Sequence, residues 1–322
     1  MKAFKKVCIF PKQSHEQKCK GFILRSSYEW RQIMLYSKPV TDIIRQRFSC
    51  RKYLEKPIAE DQRQRLSAFM SAVGRGPFGA PVRFELVAAT EQDRNSLKGL
   101  GTYGVIRGAA GFIVGAVGHS EKNLEDYGYV MEKIILCTTD IGLGTCWLGG
   151  TFSKSGFAKK ISAAEGELVP AVTSVGYIAQ RGGFEGRMRR FVDADNRMPW
   201  ENLFFGEKFG TPLSPDEAGA YSVPLEMVRI GPSASNKQPW RIVREGNVWH
   251  FYIQRTKGYG NSFTFRLLGL ADLQRVDMGI AMSHFELTAG ELGLKGTWAV
   301  REPGIAKPDN LTEYTASWES LK

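Results

Sequence analysis

Arg47-Phe48-Ser49-Cys50-Arg51 puts two guanidiniums and a hydroxyl at alternate positions. In extended backbone, residues i, i+2 and i+4 point to one face. Arg47, Ser49 and Arg51 would then form a set suited to a phosphate monoester dianion, while a solvated basic edge is the plainer reading. A second segment, Ile230-Gly231-Pro232-Ser233-Ala234-Ser235-Asn236-Lys237-Gln238-Pro239-Trp240, holds two prolines, two hydroxyls, two carboxamides and an aromatic ring. Such a loop could offer fixed donors and acceptors to a planar heterocycle, or be an ordinary turn entering a strand. A third, from Asp140 to Gly150, ends in the pair Gly149-Gly150. Paired glycines after a strand let a ring approach the backbone, where an N–H could donate to a ring nitrogen; a plain strand-to-helix turn is the alternative. A fourth, Gly186-Arg187-Met188-Arg189-Arg190-Phe191, could complete a phosphate clamp or be exposed charge.

The elements that must position these segments repeat. Asp126, Gly128, Met131, Gly142, Leu143 and Trp147 recur as Asp277, Gly279, Met282, Gly293, Leu294 and Trp298 at one offset of 151. A fixed offset says that two copies of one unit share the chain. Each copy reads as a long helix, a Gly-Leu turn and a short strand ending in Trp. The first long helix is expected from Ser120–Asn123 to Ile141, and the second over Leu270–Leu292. Shorter helices are expected at Val40–Arg47 with Thr41 as N-cap, from Pro57 onward with Leu66, Phe69, Met70 and Val73 on one face, at Phe152–Ile161 and at Leu225–Ile230. Strands are expected at Phe84–Ala88, Gly111–Val117, Thr145–Leu148, Ala171–Ile178, Trp240–Arg244, Trp249–Gln254 and Thr297–Val300. Met198–Tyr221, with Gly206, Gly210, Pro212, Pro215 and Gly219, reads as a loop-like link. The pattern argues for an α+β fold with sheets meeting across a pseudo-twofold.

Composition excludes several classes. The longest apolar stretch, Ala109–Val117, is far short of the ~20 residues of a membrane span, so no membrane role is expected. Five cysteines at no metal-like spacing and four scattered histidines argue against a metal site. Together with the lack of a secretory pattern, they point to reduced thiols in a cytoplasm. Residues 1–33 hold eight lysines and arginines against two glutamates, more than half of the net charge of +11. That stretch reads as a basic extension outside the fold. A nucleic-acid partner would need a basic stripe with aromatics or a known module, and neither is present.

Taken together, the four segments resemble the nitroreductase family of FMN-dependent oxidoreductases, in its fused pseudo-dimer type. The resemblance implies a nitroreductase-like α+β fold of two tandem copies, an intramolecular pseudo-dimer with mixed sheets around long central helices. Residues 34–205 would be the first copy and 206–322 a degenerate second one. Arg47, Ser49 and Arg51 match the family's phosphate-binding trio, and Arg187, Arg189 and Arg190 are candidates for a further phosphate contact. Leu148, Gly149 and Gly150 match the segment near flavin N5, with the Gly149 and Gly150 backbone as the catalytic element. Pro232, Ser233, Ala234 and Asn236 match the loop that a partner subunit gives. The first copy has only Gly76-Pro77-Phe78-Gly79-Ala80-Pro81 in the equivalent place, and Trp298 is followed by Ala299-Val300 instead of paired glycines. One FMN per chain is therefore expected. The implied activity moves a hydride from NAD(P)H through flavin N5 to a nitroaromatic, quinone or similar flat acceptor by ping-pong, in a monomer acting as a pseudo-dimer. The alternative is a non-catalytic flavin-binding or interaction pseudo-enzyme of the same fold.

Overall fold

Apolar side chains on every face of Asn123–Asp140 leave no surface for water, and the helix they form lies at the centre of the molecule with all its residues buried except Lys133. The computed structural model describes residues 36–88, 90, 95, 97–98, 100–179, 196–259 and 271–321. The basic stretch 1–33 and Arg187, Arg189 and Arg190 lie outside the described residues.

In chain order the elements are α1 (Val40–Gln46), α2 (Glu60–Ala72), β1 (Val82–Ala88), β2 (Gly111–Val117), α3 (Asn123–Asp140), β3 (Gly144–Leu148), α4 (Lys154–Lys160) and β4 (Val172–Gly176). There follow β5 (Phe204–Gly206), α5 (Pro215–Ala218), α6 (Ser222–Arg229), β6 (Trp240–Glu245), β7 (Val248–Gln254), α7 (Leu273–Glu291), β8 (Gly296–Ala299) and β9 (Thr312–Ser320). One sheet has the order β1-β2-β4-β3 and is antiparallel throughout. The other has the order β5-β6-β7-β9-β8 and is mixed, because β5 runs parallel to β6. Helices and sheets together make an α+β fold.

The repeated glycines lie where the two long helices meet. Helices α3 and α7 cross at Gly128 and Gly279. A Cβ at Gly279 would stand 2.7 Å from the Tyr129 amide nitrogen and closer still to the Glu125 carbonyl oxygen. A Cβ at Gly128 would likewise strike the Val276 backbone. Glycine is required there because the two backbones touch. Arg275 of α7 binds the buried Glu125 of α3 through Nε at 2.9 Å and Nη2 at 2.6 Å. One apolar core continues across this crossing, from Leu66 and Ile134 to Phe251 and Trp318.

Several local expectations change. The cap of α1 is Pro39, and Thr41 lies inside the helix. The free amides of Val40 and Thr41 donate to the Glu291 carboxylate at the end of α7, 2.6 and 3.3 Å away, an anion placed where the helix dipole favours one. No side chain of Ser120–Asn123 caps α3, which begins at Asn123. The Met198–Tyr221 link carries a strand and helical turns: β5 pairs with β6, and a Ser214–Glu217 capping box starts α5. Strand β9 lies between β7 and β8 and was not expected.

Candidate active site

Segment 47–53 is extended because it borrows hydrogen bonds from an open sheet edge. β3 is the edge strand of the first sheet; Ser49 bridges Thr145 in parallel, and the Cys50 amide donates to the Thr145 carbonyl at 2.7 Å. On the other side the Arg107 amide donates to the Arg51 carbonyl at 2.9 Å. Cys50 turns into the core, and Arg47, Ser49 and Arg51 line a cavity of 520 Å³, a size suited to a cofactor or small ligand; Phe48 lines it too, so the alternation is clean only at Cys50.

The opposite wall comes from the loop after α6. Pro232, Ser233, Ala234 and Asn236 all line the same cavity. The loop is held in a costly shape: Ser235, Asn236 and Gln238 have φ of 50°, 53° and 48°, the left-handed region, where each non-glycine residue costs roughly 1–3 kcal/mol. A dense set of bonds holds it. The Asp277 carboxylate accepts the Ala234 amide at 2.9 Å, and Ser233 Oγ accepts the Gln238 amide at 2.8 Å. Gln238 Oε1 accepts the Met198 amide at 2.8 Å. Arg197 donates to Asn236 Oδ1 at 2.8 Å and to the Ile230 carbonyl at 3.1 Å, while Asn236 Nδ2 donates to the Asn196 carbonyl at 2.8 Å. Asn236 thus spends its carboxamide on tethering the loop to residues 196–197.

Gly149 and Gly150 close the third side, and here the structure separates the expected set. Both glycines line the cavity, but Leu148 is buried in a separate apolar cluster behind the first sheet. Period-two alternation puts its neighbour Trp147 on the cavity side instead. A Cβ at Gly150 would meet nothing, so that position opens to the cavity; at Gly149 it would strike Leu273, itself a lining residue.

Behind this surface sits a buried ionic group. Glu132 of α3 accepts Trp147 Nε1 at 2.8 Å, faces His284 Nε2 at 2.9 Å and has Arg47 Nε at 3.8 Å. Burial pushes its carboxyl up, but the hydrogen bond and charge of His284, the charge of Arg47 and the Trp147 N–H outweigh it and hold the group below the usual carboxylate range. Asp277 is the reverse case: burial raises it well above the usual range, opposed only by the Ala234 amide. Its counterpart Asp126 accepts the Phe78 and Ala80 amides at 3.0 and 2.7 Å, and burial pushes it up to about 6.

Trp147, Arg197, Leu273 and Asp277 join the lining unforeseen, and Glu132 and His284 support it. Asp277 had a signal, its place in the repeat. Trp147 had the same one, while Arg197, Leu273, Glu132 and His284 had none, since a Glu within an apolar helix becomes a site residue only by meeting its partners. Among the described residues no group of three or more His, Cys, Asp or Glu is arranged to hold a metal ion, and no helix is long and apolar enough to cross a membrane.

A family model described as "Putative TM nitroreductase" matches residues 39–289. Among solved structures, a putative nitroreductase from Thermotoga maritima is similar at 20% identity, covering 87% of this chain and 93% of that one with a TM-score of 0.54. A nitroreductase with bound FMN from Bacteroides fragilis is 20% identical and covers 45% of this chain and 91% of its own, at a TM-score of 0.35. An FMN-dependent nitroreductase from Clostridium difficile is 21% identical over 44% of this chain and 88% of its own, at 0.33. No curated protein matches. The match of the family model over most of the length, on a fold shared with the Thermotoga protein, makes this chain a member of that nitroreductase family.

Proposed function

We propose that the chain is an FMN-dependent oxidoreductase that uses NAD(P)H to reduce a nitroaromatic, quinone or similar flat acceptor. The observation that carries this reading is one cavity lined both by the Arg47, Ser49 and Arg51 trio and by Pro232, Ser233, Ala234 and Asn236, with Gly149 and Gly150 on its side. The donor set fits the group. Two guanidiniums and a hydroxyl suit a phosphate dianion, and the apolar flanks of Ile230, Pro232, Leu273 and Ile280 suit a flat ring. FMN, when bound, supplies reversible two-electron chemistry between a reduced nicotinamide and the acceptor. The protein's share is to hold and orient. Arg47, Ser49 and Arg51 fix the phosphate end, and the Gly149–Gly150 backbone offers N–H groups to a ring edge with no side chain intervening. The strained 232–238 loop is fastened in advance, so binding does not have to order it.

The equivalent roles of Asp126, which accepts the Phe78 and Ala80 amides, and Asp277, which accepts the Ala234 amide, and the helix crossing at Gly128 and Gly279 support reading the molecule as an intramolecular pseudo-dimer, with residues 34–205 and 206–322 as its halves and a monomer as the working unit. One composite site was kept, which implies one FMN per chain. The test is a flavin-to-chain ratio on purified protein, followed by anaerobic addition of NADH or NADPH. A ratio near one and bleaching of the flavin absorbance are expected. A colourless protein that takes up no added FMN would overturn the reading and favour an interaction protein of the same fold.

A further inference from the structure

The Glu132 group joins the two halves directly behind the clamp. Glu132 and His284 side chains are both fully buried. His284 Nδ1 lies 2.8 Å from the Met227 carbonyl oxygen, which can only accept, so that nitrogen carries a proton. Nε2 lies 2.9 Å from Glu132 Oε1, so a proton stands between them and the ring is hydrogen-bonded to the carboxyl. Arg47 Nε stands 3.8 Å from the same Oε1, beyond direct hydrogen-bond range, while its residue lines the cavity. The matching pair in the second half, Trp298 and Glu286, is met differently: Glu286 Oε2 accepts Trp298 Nε1 at 2.7 Å and the neutral Tyr129 hydroxyl at 2.6 Å.

We propose that His284 is a positioning residue for the phosphate clamp, occupying Glu132 Oε1 with its Nε2 hydrogen bond so that the Arg47 guanidinium serves the cavity. The proposal rests on the FMN reading above. With His284 in place, Glu132 Oε1 has a hydrogen-bond partner closer than Arg47, 2.9 Å against 3.8 Å. Without it, the buried carboxylate has Arg47 as its nearest cation, and an unpaired charge in a low-dielectric interior draws the partner into direct contact. The cavity then loses one of the two charges of its clamp. A phosphate senses that loss, whereas a ring and its sugar-alcohol chain do not.

The experiment compares FMN with riboflavin, which lacks the phosphate, by fluorescence quenching on flavin-free protein. Wild type is expected to prefer FMN. His284→Leu is expected to cut that preference by roughly tenfold or more, the scale of a hydrogen bond to a charged group, while riboflavin affinity stays within about twofold. Two variants should restore the preference: His284→Gln, which keeps one N–H toward Glu132, and Glu132→Gln combined with His284→Leu, which removes the anion that would capture Arg47. If His284→Leu weakens both flavins alike, or neither, His284 only packs and the proposal is overturned. If that variant does not fold, the double variant decides: a preference like wild type supports the proposal and its loss overturns it. Wild type that takes up neither flavin overturns the FMN reading, and the proposal with it; an unchanged preference in His284→Leu overturns the proposal alone.

Discussion

Gly279→Ala tests whether the crossing of α3 and α7 is set by backbone contact. The new Cβ would sit 2.7 Å from the Tyr129 nitrogen, against the 3.4 Å of ordinary contact, so the helices must part by at least the difference. No rotamer change relieves this, because the obstacles are the backbone atoms of Tyr129 and Glu125. Overpacking of this kind costs ~3 kcal/mol. Alanine returns ~1 kcal/mol through its better helix propensity, leaving a net loss of about 2 kcal/mol. For a chain of this size, that lowers the thermal midpoint by roughly 3 °C. Gly128→Ala should behave alike, since its Cβ meets the Val276 backbone. The double variant should lose less than the sum, because one separation of the helices relieves both clashes. Circular-dichroism melts provide the readout. A Gly279→Ala midpoint within ~1 °C of wild type, or strictly additive losses, would falsify the account of the crossing.

Arg47→Ala combined with Arg51→Ala should weaken FMN binding by roughly a hundredfold or more, since each guanidinium gives a charge-assisted contact; Arg25→Ala with Arg31→Ala should leave flavin content unchanged, which absorbance on purified protein would show. Arg275→Met should lower stability by about 2 kcal/mol in urea unfolding, because Glu125 would keep its buried charge without the guanidinium that now binds both its oxygens. Asp126 gives a signed pH effect. Burial raises it from 3.8 to about 6, so above pH ~6 its charge costs stability, and the cost is relieved as pH falls toward 4. Wild type should therefore gain up to ~3 kcal/mol relative to Asp126→Asn between pH 7 and 4, and a flat difference across that range would contradict the burial argument.

Much of this was readable from residue order. The spacing of Arg47, Ser49 and Arg51 marked residues that line one cavity, and the period of two correctly turned Cys50 away, though not Phe48. The repeat located α3 and α7, since dense apolar positions and a closing glycine act within a few residues; Gly142 and Gly293 end their helices with φ of 84° and 74°. The same local reading failed for β9, whose Thr, Glu and Ser positions look half-exposed until β7 and β8 pair with it on both edges. It failed for β5 as well, since three residues between glycines and prolines make a strand only when β6 lies alongside.

The sequence by itself determined which groups could touch a phosphate or a flat ring, and which residues recur at a fixed offset. Tertiary structure decided how those groups are held. It turned Leu148 away and Trp147 inward, made Asn236 a tether for its own loop, and brought His284 against Glu132 across 152 positions. The physical reason is that spacing along a chain sets the direction of a side chain only within its own element. Which carboxylate a buried cation answers, and which amide caps an aspartate, depends on how two helices cross, and that crossing is set by backbone contact at Gly128 and Gly279.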